Sequence, residues 1–89
     1  MAEIIKKCYS KYFQKIIEGK KKFEIRLADE EYNEGDILIL KEIDENRNFT
    51  GREIKKKINY LAKTKNCNYW PKENIDKYGF VILGMEDLN

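Results

Sequence analysis

The residues most able to do chemistry lie in one short stretch, a basic turn that leads into a strand of alternating charge. Lys20, Lys21 and Lys22 follow Gly19, and residues 22–27 then alternate between charged and apolar side chains. An alternation of period 2 is typical of a half-buried β-strand. We expect the apolar members to face the core and the charged members to form a row on the other face, at steps of roughly 6.5–7 Å. The apolar members are Phe23, Ile25 and Leu27, and the charged members are Lys22, Glu24 and Arg26.

This charged row suits a ligand that carries negative charge or an amide group. The guanidinium of Arg26 offers a planar fork to a phosphate or a base edge, and the carboxylate of Glu24 can accept from an exocyclic amine. A lysine that is partly desolvated beside other cations loses some basicity and can act as a general base or nucleophile. The same residues are also explained without a ligand, as an exposed ion pair and as solvated lysines at a helix end.

Composition limits the classes of function. The chain has 89 residues, which predicts one domain, residues 1–89, with a single small core. Charged residues make up 38% of the chain, but the net charge is only +2, so the total charge does not indicate a nucleic-acid-binding protein. The lysines are concentrated at 20–22 and 55–57 and the acidic residues lie mainly elsewhere, which can produce a basic patch without a basic total.

Histidine is absent, and its absence excludes several kinds of catalytic site. A Ser-His-Asp or Cys-His relay cannot be built from this chain alone, and Cys8 and Cys67 lack the spacing and the companions of a zinc site. We therefore expect no metal and no cofactor. Two separate thiols, the lack of a long apolar run and the lack of a secretory signal favour a reduced, cytoplasmic protein without a membrane segment.

Several sequence patterns predict the elements that position these residues. A short strand at 3–8 precedes a helix at about 10–18, for which Ser10 is the expected N-cap and Gly19 the stop signal. Apolar residues at helical spacing define the face of this helix that packs on the core. They are Tyr9, Tyr12, Phe13, Ile16 and Ile17.

The second half of the chain predicts further strands. Residues 37–40 and 80–83 are apolar on both faces, and a strand from Ile54 to Tyr60 carries a bulge or an edge position near Lys56. Pro71 is placed to open a short second helical turn. About five strands with one early helix predict an α+β fold, and the doubly apolar strands favour a sheet that closes into a barrel.

Four segments, 19–26, 35–40, 50–54 and 78–84, occur in an order that resembles the ASCH domains of the PUA-like superfamily. The similarity is greatest to a small bacterial and phage branch of unknown function, and it covers nearly the whole chain. It implies a small PUA-like mixed β-barrel of five or six strands with flanking helices. It also implies a basic cleft beside the strand after the helix, with RNA or a nucleotide as the ligand.

One branch of that family hydrolyses the amide of acetylcytidine with a lysine, a threonine and a distant glutamate. Lys21 matches the lysine, but Glu24 stands at the threonine position, and no motif places the glutamate, although Glu73 lies in a suitable region. The loop after the strand keeps only Asp29 of the branch's usual pattern, and Glu30 is acidic where that branch is basic. Two functions therefore remain: an RNA- or nucleotide-binding domain, and a small amidohydrolase acting on a modified nucleoside, with Lys21 and Glu24 as catalytic residues.

Aromatic residues in the irregular segment 62–78 give one more candidate for ligand contact. Tyr69 and Trp70 are adjacent there, and their rings are suited either to stack on a base or to cover the core of the barrel. The predicted ligand-binding set is therefore Lys20, Lys21, Lys22, Glu24, Arg26, Tyr69 and Trp70. A third hypothesis, a phage-related regulatory or accessory protein that acts through protein contacts, stays open, as does the oligomeric state.

Overall fold

A computed structural model describes residues 1–66, 71–74, 76–77 and 79–88 of the chain. The elements, in chain order, are β1 (Glu3–Tyr9), α1 (Ser10–Ile17), β2 (Phe23–Leu27), β3 (Ile37–Ile43), β4 (Phe49–Lys63), two 3₁₀ turns (Thr64–Asn66 and Lys72–Asn74) and β5 (Phe80–Glu86). The short second helical turn after Pro71 and the early helix are both where the sequence predicts them.

The strands form one mixed sheet in the order β1-β3-β4-β5-β2. β1 runs parallel to β3, and the other three neighbouring pairs are antiparallel. The sheet curves into a half-barrel, and with the one short helix this makes an α+β fold. The prediction of a closed barrel is wrong for the residues described, because β1 and β2 form the two edges of the sheet and do not pair. The guanidinium of Arg26 crosses the gap between them and donates to the carbonyl of Lys7 at 2.7 Å.

The helix packs its inner face on the concave side of the sheet. Phe13 and Ile16 are almost fully buried there, and the helix ends at Gly19, whose φ of +78° suits a residue without a Cβ. The prediction of Ser10 as an N-cap is wrong, since Tyr9 holds that position and no side chain caps the first turn. The Ser10 hydroxyl instead donates to the carbonyl of Ile43 at 3.1 Å, which fastens the helix to β3.

The face of β2 that points inward is the opposite of the one predicted. Glu24 is only 4% exposed, whereas Phe23, Ile25 and Leu27 are 44%, 54% and 45% exposed. The register with β5 sets this phase, because Glu24 lies opposite the fully buried Leu83 on the concave side. Burial of the carboxylate is tolerated because two cations contact it, as described below.

The bulge predicted near Lys56 lies farther along β4. The pairing of β4 with β5 shifts between Ile58 and Tyr60, so Ile58 faces the core and Tyr60 faces solvent, 66% exposed. Lys56 does point inward, and its ammonium group forms an ion pair with Asp87. The bulge therefore moves an aromatic ring onto the outer face of the sheet.

Candidate functional site

A cavity of about 460 Å³ lies in the gap between the two edge strands of the half-barrel. Cys8 of β1 and Glu24 of β2 are buried and form its floor. Its rim combines cationic and aromatic side chains from β1, α1, β2 and the β3–β4 turn. The main rim residues are Lys7, Tyr9, Tyr12, Phe23 and Arg47.

A buried carboxylate organises the cationic groups at the floor. The two Glu24 oxygens accept from Lys21 Nζ at 2.7 Å and from Arg26 Nε at 2.8 Å. Lys21 Nζ also donates to the carbonyl of Phe23 at 2.7 Å, and Arg26 donates to Lys7 as described. Each cation is thus fixed by two hydrogen bonds, so the cavity presents them in a set geometry before any ligand arrives.

The cavity carries more positive charge than the other two described cavities. Four cationic side chains line it against the single carboxylate of Glu24, which leaves a net charge of +3; the four are Lys7, Lys21, Arg26 and Arg47. Each of the other two cavities is lined by equal numbers of cationic and acidic side chains. A concave site with an excess of one charge attracts ligands of the opposite charge.

Aromatic rings stand at the rim of the same cavity. Tyr9 and Tyr12 are 41% and 46% exposed, and both also border a second cavity of about 760 Å³ beside α1. Phe23 is similarly exposed on the other side, with Lys21 Nζ 5.0 Å from the centre of its ring. Exposed rings next to cations can stack on a nucleobase while the cations contact its phosphate.

The thiol at the floor is unsuited to nucleophilic chemistry. Cys8 is 4% exposed, and burial raises its pKa to about 11. The thiolate is the reactive form of cysteine, and a pKa this high leaves very little of it at neutral pH. We therefore give Cys8 a packing role at the bottom of the cavity.

The structure brings together three of the residues predicted for the site and separates others. Lys21, Glu24 and Arg26 meet in the cavity, whereas Lys20 and Lys22 lie outside it. Lys20 is exposed, with its ammonium 3.5 Å from the Glu18 carboxylate, and Lys22 borders a different cavity near the end of β5. Tyr69 and Trp70 lie outside the described residues, so their predicted roles stay predictions.

Sequence reasoning missed five residues of the rim, namely Lys7, Tyr9, Tyr12, Phe23 and Arg47. Lys7 and Tyr9 enter because β1 forms one edge of the sheet, and Arg47 enters from the β3–β4 turn, where its φ is +67°. Only the alternation of β1, with Lys7 and Tyr9 at consecutive outward positions, could have indicated part of this set.

A second buried carboxylate has a structural role beside α1. Glu42 is 4% exposed and accepts from both Arg52 Nε and Nη2 at 2.8 Å and from the Thr50 hydroxyl at 2.5 Å. These donors lower the pKa of Glu42 to about 2. The bidentate pair joins β3 to β4 next to the end of their hairpin.

The depressed pKa of Glu42 predicts an acid-sensitive contribution to stability. A folded-state pKa of about 2, below the ordinary value of 4.5, gives stability that is complete above that ordinary value and is lost as the pH falls toward 2. The urea midpoint of wild type should therefore fall across this window, and Glu42→Gln should flatten the fall. Urea unfolding at closely spaced pH values measures this, and parallel profiles for the two proteins would contradict it.

In the described ranges, no group of three or more Cys, Asp or Glu side chains is arranged to hold a metal ion. No helix within the described residues has the length and apolar character needed to cross a bilayer.

The fold and the cavity define a class: a small α+β half-barrel domain with a cationic cavity between the edges of its sheet. Residues 5–85 match the family described as "Domain of unknown function (DUF3850)", and the chain belongs to that family. Over 52 residues it is 44% identical to the "Uncharacterized 12.9 kDa protein in GpA 3'region" of Escherichia phage P2. That alignment covers 58% of this chain and 47% of the phage protein, so the match spans about half of the relative.

A solved structure shares the architecture. The solved structure described as "Crystal structure of hypothetical protein PH0355" superimposes on this chain with a TM-score of 0.65. The superposition covers 97% of this chain and 98% of the other. The two sequences are 22% identical, so this similarity concerns the fold alone.

Proposed function

We propose that this chain is a PUA-like domain of the ASCH type that binds RNA or a nucleotide in the cavity between β1 and β2. The observation that carries the proposal is the charge of that cavity, four cations against one buried carboxylate, in a chain whose net charge is only +2. Phosphates are the common biological groups that match such a site. The aromatic rim supplies the second half of a nucleotide-binding site, because bases stack on exposed rings.

The geometry divides the expected contacts between rim and floor. Lys7 and Arg47 at the rim are exposed and free of the Glu24 network, which leaves their charges available to phosphate oxygens. Arg26 and Lys21 at the floor are held in place by Glu24, so they can position one group of the ligand with a fixed geometry. Tyr12 stands between the two cavities and can stack on a base.

An amidohydrolase acting on a modified nucleoside is the second candidate, and one contact favours it. Lys21 and Glu24 form a 2.7 Å pair inside the cavity, which is a suitable place for an acid–base pair. The Lys21 ammonium, however, is already engaged with both Glu24 and the Phe23 carbonyl, and Glu24 replaces the threonine of the amidohydrolases that the sequence resembles. We therefore prefer binding, and incubation with acetylcytidine tests the alternative, since released acetate that is lost in Lys21→Ala would support hydrolysis.

The salt dependence of RNA binding tests the preferred function. Lys7→Gln should weaken binding of a fluorescent single-stranded oligoribonucleotide and reduce the slope of log K against log salt by about 0.7, the value for one phosphate contact on a single strand. Lys57→Gln is the matched control, because it removes the same charge from the exposed face of β4, outside the described cavities.

Fluorescence anisotropy titrations at several salt concentrations measure both proteins against wild type. If the slope of log K against log salt is the same for Lys7→Gln and Lys57→Gln, RNA binds through charge spread over the surface. That result would contradict binding in the cavity. No binding of either RNA or nucleotides by wild type would overturn the proposed function itself.

A further inference from the structure

The outer face of the sheet carries an apolar surface that the cavity does not explain. Eight neighbouring outward positions on β4, β5 and β2 hold no charged residue, in a chain that is 38% charged. We call them the outer patch: Tyr60, Ala62, Phe80, Ile82, Gly84, Phe23, Ile25 and Leu27.

Strand pairing makes the outer patch continuous. Gly84 lies between Tyr60 and Phe23 in one cross-strand row, and Ile82 lies between Ala62 and Ile25 in the next. A third row pairs Phe80 with Leu27. The six large side chains of the patch are between 40% and 66% exposed. Neighbouring rows of side chains on one face lie about 7 Å apart, so these six form a single surface.

The area of the outer patch exceeds what a monomer usually leaves uncovered. With about 200 Å² for a large side chain and roughly half of it exposed, the six side chains present on the order of 600 Å². This is the upper end of the largest apolar patch on a typical monomer, about 300–600 Å². Two such patches in contact would bury about 1,200 Å², which reaches the lower bound for a specific, stable interface.

We propose that the outer patch is the interface of a homodimer, in which a second copy packs its own patch face to face across a twofold axis. A twofold axis brings the patch against itself, and since the patch holds no charged residue, no charge is desolvated or opposed by a like charge. Pleated sheets pack face to face about 10 Å apart, with side chains of each filling spaces on the other. The area of the patch favours a second copy as the partner, because one copy supplies the second apolar surface in full.

The middle of the patch is covered by an uncharged side chain. Gly84 lies between Tyr60 and Phe23 in the cross-strand row, and the side-chain amide of Asn59 lies over it. The position cannot gain a side chain without rearrangement, since a Cβ there would lie 2.7 Å from Oδ1 of Asn59.

The dimer would explain why the alternation of β2 has its apolar side outward. Glu24 and Arg26 then serve the cavity, and the apolar residues between them serve the second copy. Phe23 and Ile25 also border the cavity, so the second copy would lie next to its rim. The homodimer needs no bound ligand, although the outer patch and the cavity share Phe23 and Ile25.

Sedimentation equilibrium of the full chain tests the homodimer. Wild type at about 100 μM should show twice the 10.7 kDa mass of one chain, and the Leu27→Lys/Ile82→Lys double variant should show the mass of one chain. Neither substituted residue lines the described cavities. Ile17→Lys is the matched control, since Ile17 is 45% exposed on α1, which packs on the concave side of the sheet opposite to the patch, and this variant should stay dimeric.

A second pair of substitutions separates loss of the dimer from loss of folding. The Leu27→Thr/Ile82→Thr variant introduces uncharged polar side chains, and threonine is well tolerated in exposed strands. This variant should also be monomeric and should still unfold cooperatively in urea. A monomeric wild type at this concentration would overturn the proposal and assign the patch to a different partner. A double lysine variant that folds and remains dimeric would overturn it as well, by placing the interface elsewhere.

Discussion

Replacing Glu24 with glutamine is expected to weaken binding of a single-stranded oligoribonucleotide by about tenfold or more, which corresponds to roughly 1.4 kcal/mol. The substitution removes the carboxylate and so makes the described lining of the cavity more positive. Charge alone would then strengthen the binding of a polyanion. We expect the opposite, because Glu24 holds Lys21 and Arg26 in place through bonds of 2.7 and 2.8 Å, and their fixed positions carry the binding.

Glu42→Gln is the matched control for this substitution. Glu42 is buried to the same extent and also accepts hydrogen bonds from a cation, but it does not line the cavity between β1 and β2. Both variants should unfold at lower urea concentration than wild type, since each weakens hydrogen bonds to a charged group. Anisotropy titrations should show weaker binding for Glu24→Gln alone, and tighter binding by that variant would contradict the positioning role of the carboxylate.

Truncation of Phe13 to alanine is expected to reduce the unfolding free energy by about 3–5 kcal/mol. Phe13 is 1% exposed and joins α1 to the concave face of the sheet, with the Arg52 guanidinium 5.1 Å from the centre of its ring. A domain of this size is typically stable by only about 5–15 kcal/mol, so the loss would leave a large share of molecules unfolded under mild conditions. Urea unfolding followed by circular dichroism measures the change.

Ile17→Ala provides the comparison on the same helix. Ile17 is 45% exposed, and its truncation should change the unfolding free energy by less than about 1 kcal/mol. Similar losses for the two variants would mean that the helix does not pack as the structure places it.

Local patterns predicted most of the secondary structure because local chemistry decides it. Gly19 ends the helix through its backbone freedom, and the apolar run at 37–40 forms β3, paired on both sides. The N-cap prediction failed at Ser10 because the helix begins at Ser10 itself, with Tyr9 at the cap position, and the Ser10 hydroxyl donates to a carbonyl of β3 that is distant in sequence.

The orientation of β2 could not be read from its alternation. A period of 2 separates two faces but does not say which one is buried. The phase is fixed by the register with β5, which places Glu24 beside Leu83, and by the two cations that make a buried carboxylate tolerable. The prediction of a closed barrel failed for a related reason, since the pairing of β1 with β2 depends on the curvature of the whole sheet.

The candidate site was predicted in part. Lys21, Glu24 and Arg26 are close in sequence, and their meeting follows from one turn and one strand. Lys7 and Tyr9 reach the same cavity only through the parallel pairing of β1 with β3. Contacts between segments so far apart in sequence depend on topology, which a single sequence does not specify.

Chemical-shift mapping of the backbone amides tests the central claim most directly. A single-stranded oligoribonucleotide is titrated into the ¹⁵N-labelled protein, and the shift changes are assigned by residue. The account predicts that the largest changes fall on β1 from Lys7 to Tyr9 and on β2 from Phe23 to Arg26, which together border the cavity. Changes confined to the lysine-rich outer face of β4 around Lys55 and Lys57, or no changes at all, would contradict it.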